Sequence, residues 1–219
     1  MEIGSHRDEA TKMMKLGVLA NFVFKGNRNY VQGGDIYSEA LNIARELWGC
    51  YPDEVIGTFH KLLRNQGIFR IHMGEKESTT ENMYARFVFK LDEKKYELVL
   101  NDSNQAIEKS RPYDEEDLLR FNEVTEKSII MKVRNDYHYI EQIIAMTKRL
   151  HQVVYFDIHD KWLFTRINIK KLINPDDYLG RSLEIRAERK LQNILSQCSI
   201  FLNDSPIGFI FFSAAGDKR

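Results

Sequence analysis

Proline is scarce here, four residues in 219, and glycine is modest at twelve, so the chain is neither a Pro/Gly-rich linker nor a low-complexity segment. Only two cysteines occur, Cys50 and Cys198. They lie far apart and suit reduced, buried thiols better than a disulfide framework. An excess of charge of one sign is also missing: 32 Lys and Arg balance 32 Asp and Glu. That balance gives no general pull toward nucleic acid or an anionic membrane, although a local basic patch stays open. No apolar run approaches the roughly 18 residues of a membrane span. The opening stretch MEIGSHRDEATKMMK carries acidic residues among its first nine and no apolar run behind them, which is not the pattern of a signal peptide. The reading therefore places the chain in the cytoplasm.

What is present is an ordinary folding composition, 43% hydrophobic and 29% charged, in a chain long enough to bury a substantial core. Thirteen Phe and ten Tyr favour strands and either a large core or the wall of an apolar ligand channel.

Along the chain, KLGVLANFVF (15–24) reads as a strand and GNRNYVQGG as an interruption. DIYSEALNIARELWG then carries Ile36, Leu41, Ala44 and Leu47 at helical spacing, with Asp35 as the cap and Gly49 as the stop. The segment from Pro52 to Gly67 is expected to be a second short helix leading into a strand from Ile68 to Met73. Tyr84, Arg86 and Val88 alternate with Ala85, Phe87 and Phe89, the turn falls at Asp92-Glu93-Lys94, and YELVL returns. A polar connection follows, with a short helix near Glu115 to Phe121. EKSIIMKV then reads as a strand, YIEQIIAMTKRLHQ as a helix with Ile140, Ile143, Ile144 and Leu150 on its apolar side, and QVVYFDIHD and WLFTRINIKKL as strands. LEIRAERKLQ, SQCSIFLND and IGFIFFSAA complete a meander turning at Asn203-Asp204-Ser205-Pro206. The order strand, interruption, helix, hairpin-ended meander occurs twice, which points to a duplicated unit with halves at 1–110 and 111–219. Each half leaves a sheet edge and face in need of a partner. One half supplies it to the other, and a homodimer stays open.

That doubled order resembles the double hotdog proteins, whose units each wrap an antiparallel sheet around a central helix. FTRINIKKLINPDDYLGRSLEIRAERKLQNILSQCSIFLNDSPIGFIFF carries most of the likeness: a strand, a proline-containing turn before a long strand, and a final hairpin with a polar turn followed by glycine. The resemblance implies an α+β fold of two hotdog-like units. It reaches loosely to long-chain acyl-CoA thioesterases and to synthases that pass an acyl chain to a small hydroxylated partner. The His-to-Gly motif of the hydratase-like branch and the glycine-aspartate pattern of several dehydratase branches have no counterpart in the sequence.

Matched to the hotdog pattern, in which a thioester carbonyl meets the start of the central helix, Gly33 and Gly34 would supply close backbone approach and N–H donors. Asp35 would be the carboxylate and Tyr37 a substrate contact. The plainer alternative is that Asp35 only caps the helix, where its pKa would be lowered and its strength as a base reduced. In the second half Asp136, Tyr137, His138 and Glu141 take the equivalent place. His138 and Glu141 are three apart, so a carboxylate there can orient an imidazole that accepts a proton. A solvent-facing role is the alternative. His159 between Asp157 and Asp160 reads as a solvated turn and not a metal site, His60 and His72 as structural or exposed, and neither cysteine as a nucleophile. Arg166, Lys170, Lys171, Arg181, Arg186, Arg189 and Lys190 are candidates for the phosphates of coenzyme A or of a carrier protein's phosphopantetheine.

The expected function is hydrolysis or transfer of an acyl group from coenzyme A or an acyl-carrier protein, without metal or cofactor. A noncatalytic lipid or acyl-metabolite binder is the alternative, and an interaction protein the third. RNA binding ranks last, for want of a glycine-rich loop or aromatic strand motif.

Overall fold

The computed structural model describes residues 17–73, 82–120, 122–132, 137–156, 161–170, 181–191 and 195–215. The chain divides into two compact units, Met1–Tyr113 and Asp114–Arg219.

The first unit holds β1 (Val18–Ala20), β2 (Phe24–Lys25), helix α1 (Gly33–Trp48), β3 (Glu54–Phe59), β4 (Asn65–Met73), β5 (Met83–Leu91), β6 (Lys94–Ala106) and β7 (Ser110–Arg111). Its sheet runs β1-β4-β6-β5-β3 with every neighbour antiparallel, and β2 pairs with β7 in parallel. The face of α1 that meets this sheet is Ile36, Tyr37, Ala40, Leu41 and Ala44, all buried. That is one apolar stripe at helical spacing. Against it β5 turns Met83, Ala85, Phe87 and Phe89, with Tyr84, Arg86 and Val88 on the other face, so the alternation in the sequence reports the pleat directly. Tyr37 lies 6.2 Å from Phe87 and Trp48 lies 5.5 Å from Phe89, ring centre to ring centre. These rings fill the space between α1 and its sheet.

The second unit holds α2 (Glu115–Leu118), β8 (Asn122–Val124), β9 (Ser128–Met131), α3 (Tyr139–Val154), β10 (Lys161–Ile169), β11 (Leu183–Leu191), β12 (Leu195–Leu202) and β13 (Ser205–Ala215). Its strands run β10-β13-β12-β11-β9-β8, again antiparallel throughout. The α3 residues Gln142, Ile143, Met146, Thr147 and Leu150 are buried and repeat the spacing of the α1 stripe residue for residue. Both hairpins close on two residues with positive φ, Asp92-Glu93 and Asn203-Asp204, the geometry that matches strand twist.

Several expectations change. Residues 54–59 form strand β3 and not a helix. Val55, Ile56, Thr58 and Phe59 are β-branched or aromatic, and Val55 and Gly57 face inward while β5 supplies the ladder. Helix α3 continues to Val154, absorbing the start of the strand expected at 152–160, because Leu150 and His151 extend its buried side. The strand expected at 15–24 is interrupted, with β1 and β2 separated by three residues. Cys50 is exposed while Cys198 is buried. The two units also differ in order: in the first unit the last strand of the main sheet, β6, lies beside β4, whereas in the second the penultimate strand, β12, lies beside β11 and the last, β13, beside β10. The repeat read from the sequence is one of element types, and the closing hairpins are inserted in opposite orders.

Candidate functional site

Helix α1 begins at Gly33, with Gln32 at its cap position and no side-chain capping bond. Asp35 is therefore the third residue of the helix and not its cap, and Gly33 and Gly34 form the first turn and do not precede it. A carboxylate in a first turn is favoured by the partial positive charge there. Here it has stronger company. Lys25, whose side chain is wholly buried, places Nζ 2.6 Å from Asp35 Oδ1, and Arg111 Nη2 lies 3.4 Å from the same oxygen. The parallel pairing of β2 with β7 sets Lys25 opposite Arg111, so a two-residue ladder delivers both cations to one carboxylate. Tyr113 lies beneath Lys25 Nζ and the Arg28 guanidinium, at 5.2 and 5.1 Å from its ring centre. Tyr37 points into the core. Sequence reasoning missed Lys25, Arg28, Arg111 and Tyr113, because only the β2–β7 pairing joins residues so far apart.

At the start of α3 the structure brings together Tyr137, His138 and Glu141; Asp136 lies outside the described residues. His138 is the helix cap, its Nδ1 accepting from the Ile140 N–H at 3.4 Å. Glu141 is the third residue, buried to 9% exposure, and so occupies the place that Asp35 holds in α1. The Gln142 side-chain amide donates to the Tyr137 carbonyl at 2.7 Å, tying the approach segment to the helix. Burial first, and then the negative charges of Asp117, Asp114 and Glu141, push the Tyr137 phenol pKa up. The phenol is a proton holder at neutral pH.

A second polar group, absent from the sequence reading, lies at the other end of α3. His151 Nε2 is 2.9 Å from Ser196 Oγ and 3.7 Å from Cys198 Sγ, with all three residues at 0% exposure. Trp162, Tyr155 and Phe212 surround the imidazole at 4.6 to 5.2 Å between ring centres. Nδ1 is buried without a hydrogen-bond partner. Burial drops the imidazole pKa to about 4 and raises the thiol to about 12. The trio is thus a neutral polar plug in the core and not an activated nucleophile. Sequence gave no sign of it, since residues 151 and 196 meet only through the packing of α3 on β12.

A cleft of about 500 Å³ opens on the outer side of α1, lined by Val18, Glu39, Asn42, Ile43 and Glu46 among others. Burial raises the Glu39 pKa. The lining is too charged for an acyl chain. His159, Asp157, Asp160 and Lys171 lie outside the described residues, and no group of three or more metal-ligating side chains occurs among those described. No helix of the described residues is long and apolar enough to cross a membrane.

No protein-family model and no curated protein matches the chain. Among solved structures it is similar to the dehydratase domain of PpsC from Mycobacterium tuberculosis in complex with C12:1-CoA, with a TM-score of 0.50 at 10% identity over 92% of this chain and 98% of that one. A tesB protein of Mycobacterium avium subsp. paratuberculosis gives a TM-score of 0.47 at 13% identity, covering 95% of this chain and 98% of that one. An acyl-ACP thioesterase from Bacteroides thetaiotaomicron gives 0.46 at 11%, covering 90% and 96%. The resemblance to hotdog proteins holds at the level of fold, an α+β arrangement with a large antiparallel sheet and few helices.

Proposed function

We propose that the protein acts on an acyl thioester, hydrolysing it or transferring its acyl group, with coenzyme A or a carrier protein as the thiol. The observation that carries this reading is the matched placement of Asp35 and Glu141, each the third residue of a buried central helix, in a fold shared with a domain solved in complex with C12:1-CoA. At the start of α1, which has no side-chain capping bond, the first N–H groups face the approaching carbonyl, whereas at α3 the Ile140 N–H already donates to His138 Nδ1. In the first unit Gly33 and Gly34 keep that approach open, and Asp35, held by Lys25 and Arg111, positions and is not the base. In the second, His138 is the group that gives the proton, or takes one when its Nδ1 releases the Ile140 N–H, with Glu141 one turn on and Tyr137 as a neutral contact. Asp136 belongs to the same proposal.

A second reading, a noncatalytic lipid or acyl-metabolite binder, is favoured by one feature: both polar groups at the helix starts are already engaged, Asp35 with two cations and His138 Nδ1 with the Ile140 N–H. Mass-spectrometric turnover of short, medium and long acyl-CoA and acyl-carrier substrates separates the two. The expected result is product formation that His138→Ala lowers about 10²-fold or more, the usual weight of a general acid or base, while the variant stays folded. Acyl ligand retained without turnover supports the binder, and neither retention nor turnover rejects the thioester reading.

A further inference from the structure

The outer face of the β10-β13-β12-β11 sheet, turned away from α3, carries three phenylalanines, and each has a cation laid over its ring. The Arg186 guanidinium carbon is 4.0 Å from the centre of Phe201, Lys170 Nζ is 5.3 Å from that of Phe209, and the Arg166 guanidinium carbon is 5.8 Å from that of Phe211. Strand alternation fixes the side: Ser196, Cys198, Ile210 and Phe212 are fully buried toward the helix, whereas Phe201, Phe209 and Phe211 are half-buried. Phe209 and Phe211 are two residues apart on β13, so their Cα atoms lie about 6.6 Å apart. Phe201 stands on the adjoining strand, two residues beyond Ser199, the partner of Phe209. Arg189, donating to Gln197 Oε1 at 2.8 Å, adds a fourth cation. Three carboxylates bear on the face, Glu184, Glu188 and, from the β12–β13 turn, Asp204, all acting on Arg186. Glu184 takes two hydrogen bonds from Arg186, at 2.8 and 2.7 Å, and Glu188 accepts from Ser199.

We infer that this face binds single-stranded nucleic acid, with successive unpaired bases stacked on the guanidinium planes of Arg186 and Arg166 over Phe201 and Phe211, or on the Phe209 ring once Lys170 turns outward to a phosphate, and the backbone phosphates held by Arg166, Lys170 and Arg189. A base needs a flat ring or guanidinium to stack on and a cation within reach for its phosphate, and the face holds three such ring–cation pairs, two at alternate residues of β13 and the third on the adjoining β12. Three stations in line call for a polymer; a single adenine of a cofactor uses only one. Four cations against three carboxylates leave the patch one positive charge in excess inside a chain that is neutral overall, so the attraction is local. On the first unit's sheet, Arg70 bonds Asn101 and Arg86 is paired with Glu97. Its outer face on β5 carries one ring, Tyr84, with Lys61 Nζ 5.9 Å from its centre, and then Arg86 and Val88, while β4 turns Ile68 outward, so a single ring under a cation and not a row of three occurs there among the described residues. The proposal does not depend on the thioester reading.

The experiment is fluorescence anisotropy of the full chain with labelled twelve-nucleotide single-stranded RNA and DNA and a duplex of the same sequence, between 50 and 200 mM salt. The single strands are expected to bind and the duplex at least tenfold more weakly. Affinity should fall with salt with a log–log slope of about −2, as for three phosphate contacts. Arg166→Glu combined with Lys170→Glu, at exposed positions that leave the core alone, should weaken binding tenfold or more. Arg70→Glu on the first unit should change it less than twofold, and Phe211→Leu should lower affinity while keeping the fold. No binding at 50 mM salt, equal affinity for duplex, or indifference to the charge reversal would each overturn the inference. So would a self-association seen by sedimentation that the charge reversal abolishes, which would make the face an interface between copies.

Discussion

His151 shows what a single side chain can impose. Its pKa is near 6.5 when exposed to water and about 4 in the fold, because burial disfavours the imidazolium. As pH falls below 6.5 the unfolded chain binds the proton first, so this contribution to stability, complete above pH 6.5, is lost progressively down to pH 4. At 1.36 kcal/mol per pKa unit the full span amounts to about 3 kcal/mol. Urea unfolding at pH 7 and pH 5 should therefore show a clear drop in the wild-type midpoint. His151→Phe should remove most of that difference, even though it costs stability at pH 7 by leaving Ser196 without its partner. An equal pH dependence in the variant would mean that other groups carry it. Lys25 makes the opposite point: a buried cation is tolerated because Asp35 stands 2.6 Å away, and a fully buried charge without such a partner would be prohibitive.

Among elements, the edge between β10 and β13 depends on the absence of a side chain at Gly208. A Cβ there would fall 2.1 Å from the Asn168 carbonyl oxygen and 3.0 Å from Ile169 Cα, both main-chain atoms that cannot rotate aside. Gly49, in contrast, ends α1 at φ +72° with its N–H bonded to the Arg45 carbonyl at 2.8 Å, and nothing within 4 Å of an added Cβ. Gly49→Ala is expected to cost about 1 kcal/mol, the strain of a left-handed residue. Gly208→Ala should cost about 3 kcal/mol or more, because two strands must separate to admit it. Thermal unfolding followed by circular dichroism would rank the two, and a reversed order would show that β13 shifts freely against β10.

For the whole molecule, 32 cationic and 32 anionic side chains set a sequence pI of about 7.0, and proteins at zero net charge lose the mutual repulsion that keeps them apart. Solubility in a precipitant titration should pass through a minimum near pH 7 and rise by pH 9; a flat profile would mean that local patches and not net charge govern association.

The sequence by itself determined the features that need only neighbours along the chain: the two central helices apart from their ends, the alternation in β5, both hairpin turns, and the presence of strands and helices in an α+β pattern. Periodicity and turn chemistry are local, and they were legible for that reason. The segment at 54–59 was misread because its residues suit a strand or a short helix until β5 supplies a ladder. Two further matters belonged to the tertiary structure alone. One is that Lys25 and Arg111 converge on Asp35, turning a candidate base into a clamped carboxylate. The other is that His151 and Ser196 meet in the core while Phe201, Phe209 and Phe211 line up under cations outside it. Each of these joins residues from different elements, and such pairings are fixed by strand register and helix packing, which leave no periodic mark in the sequence.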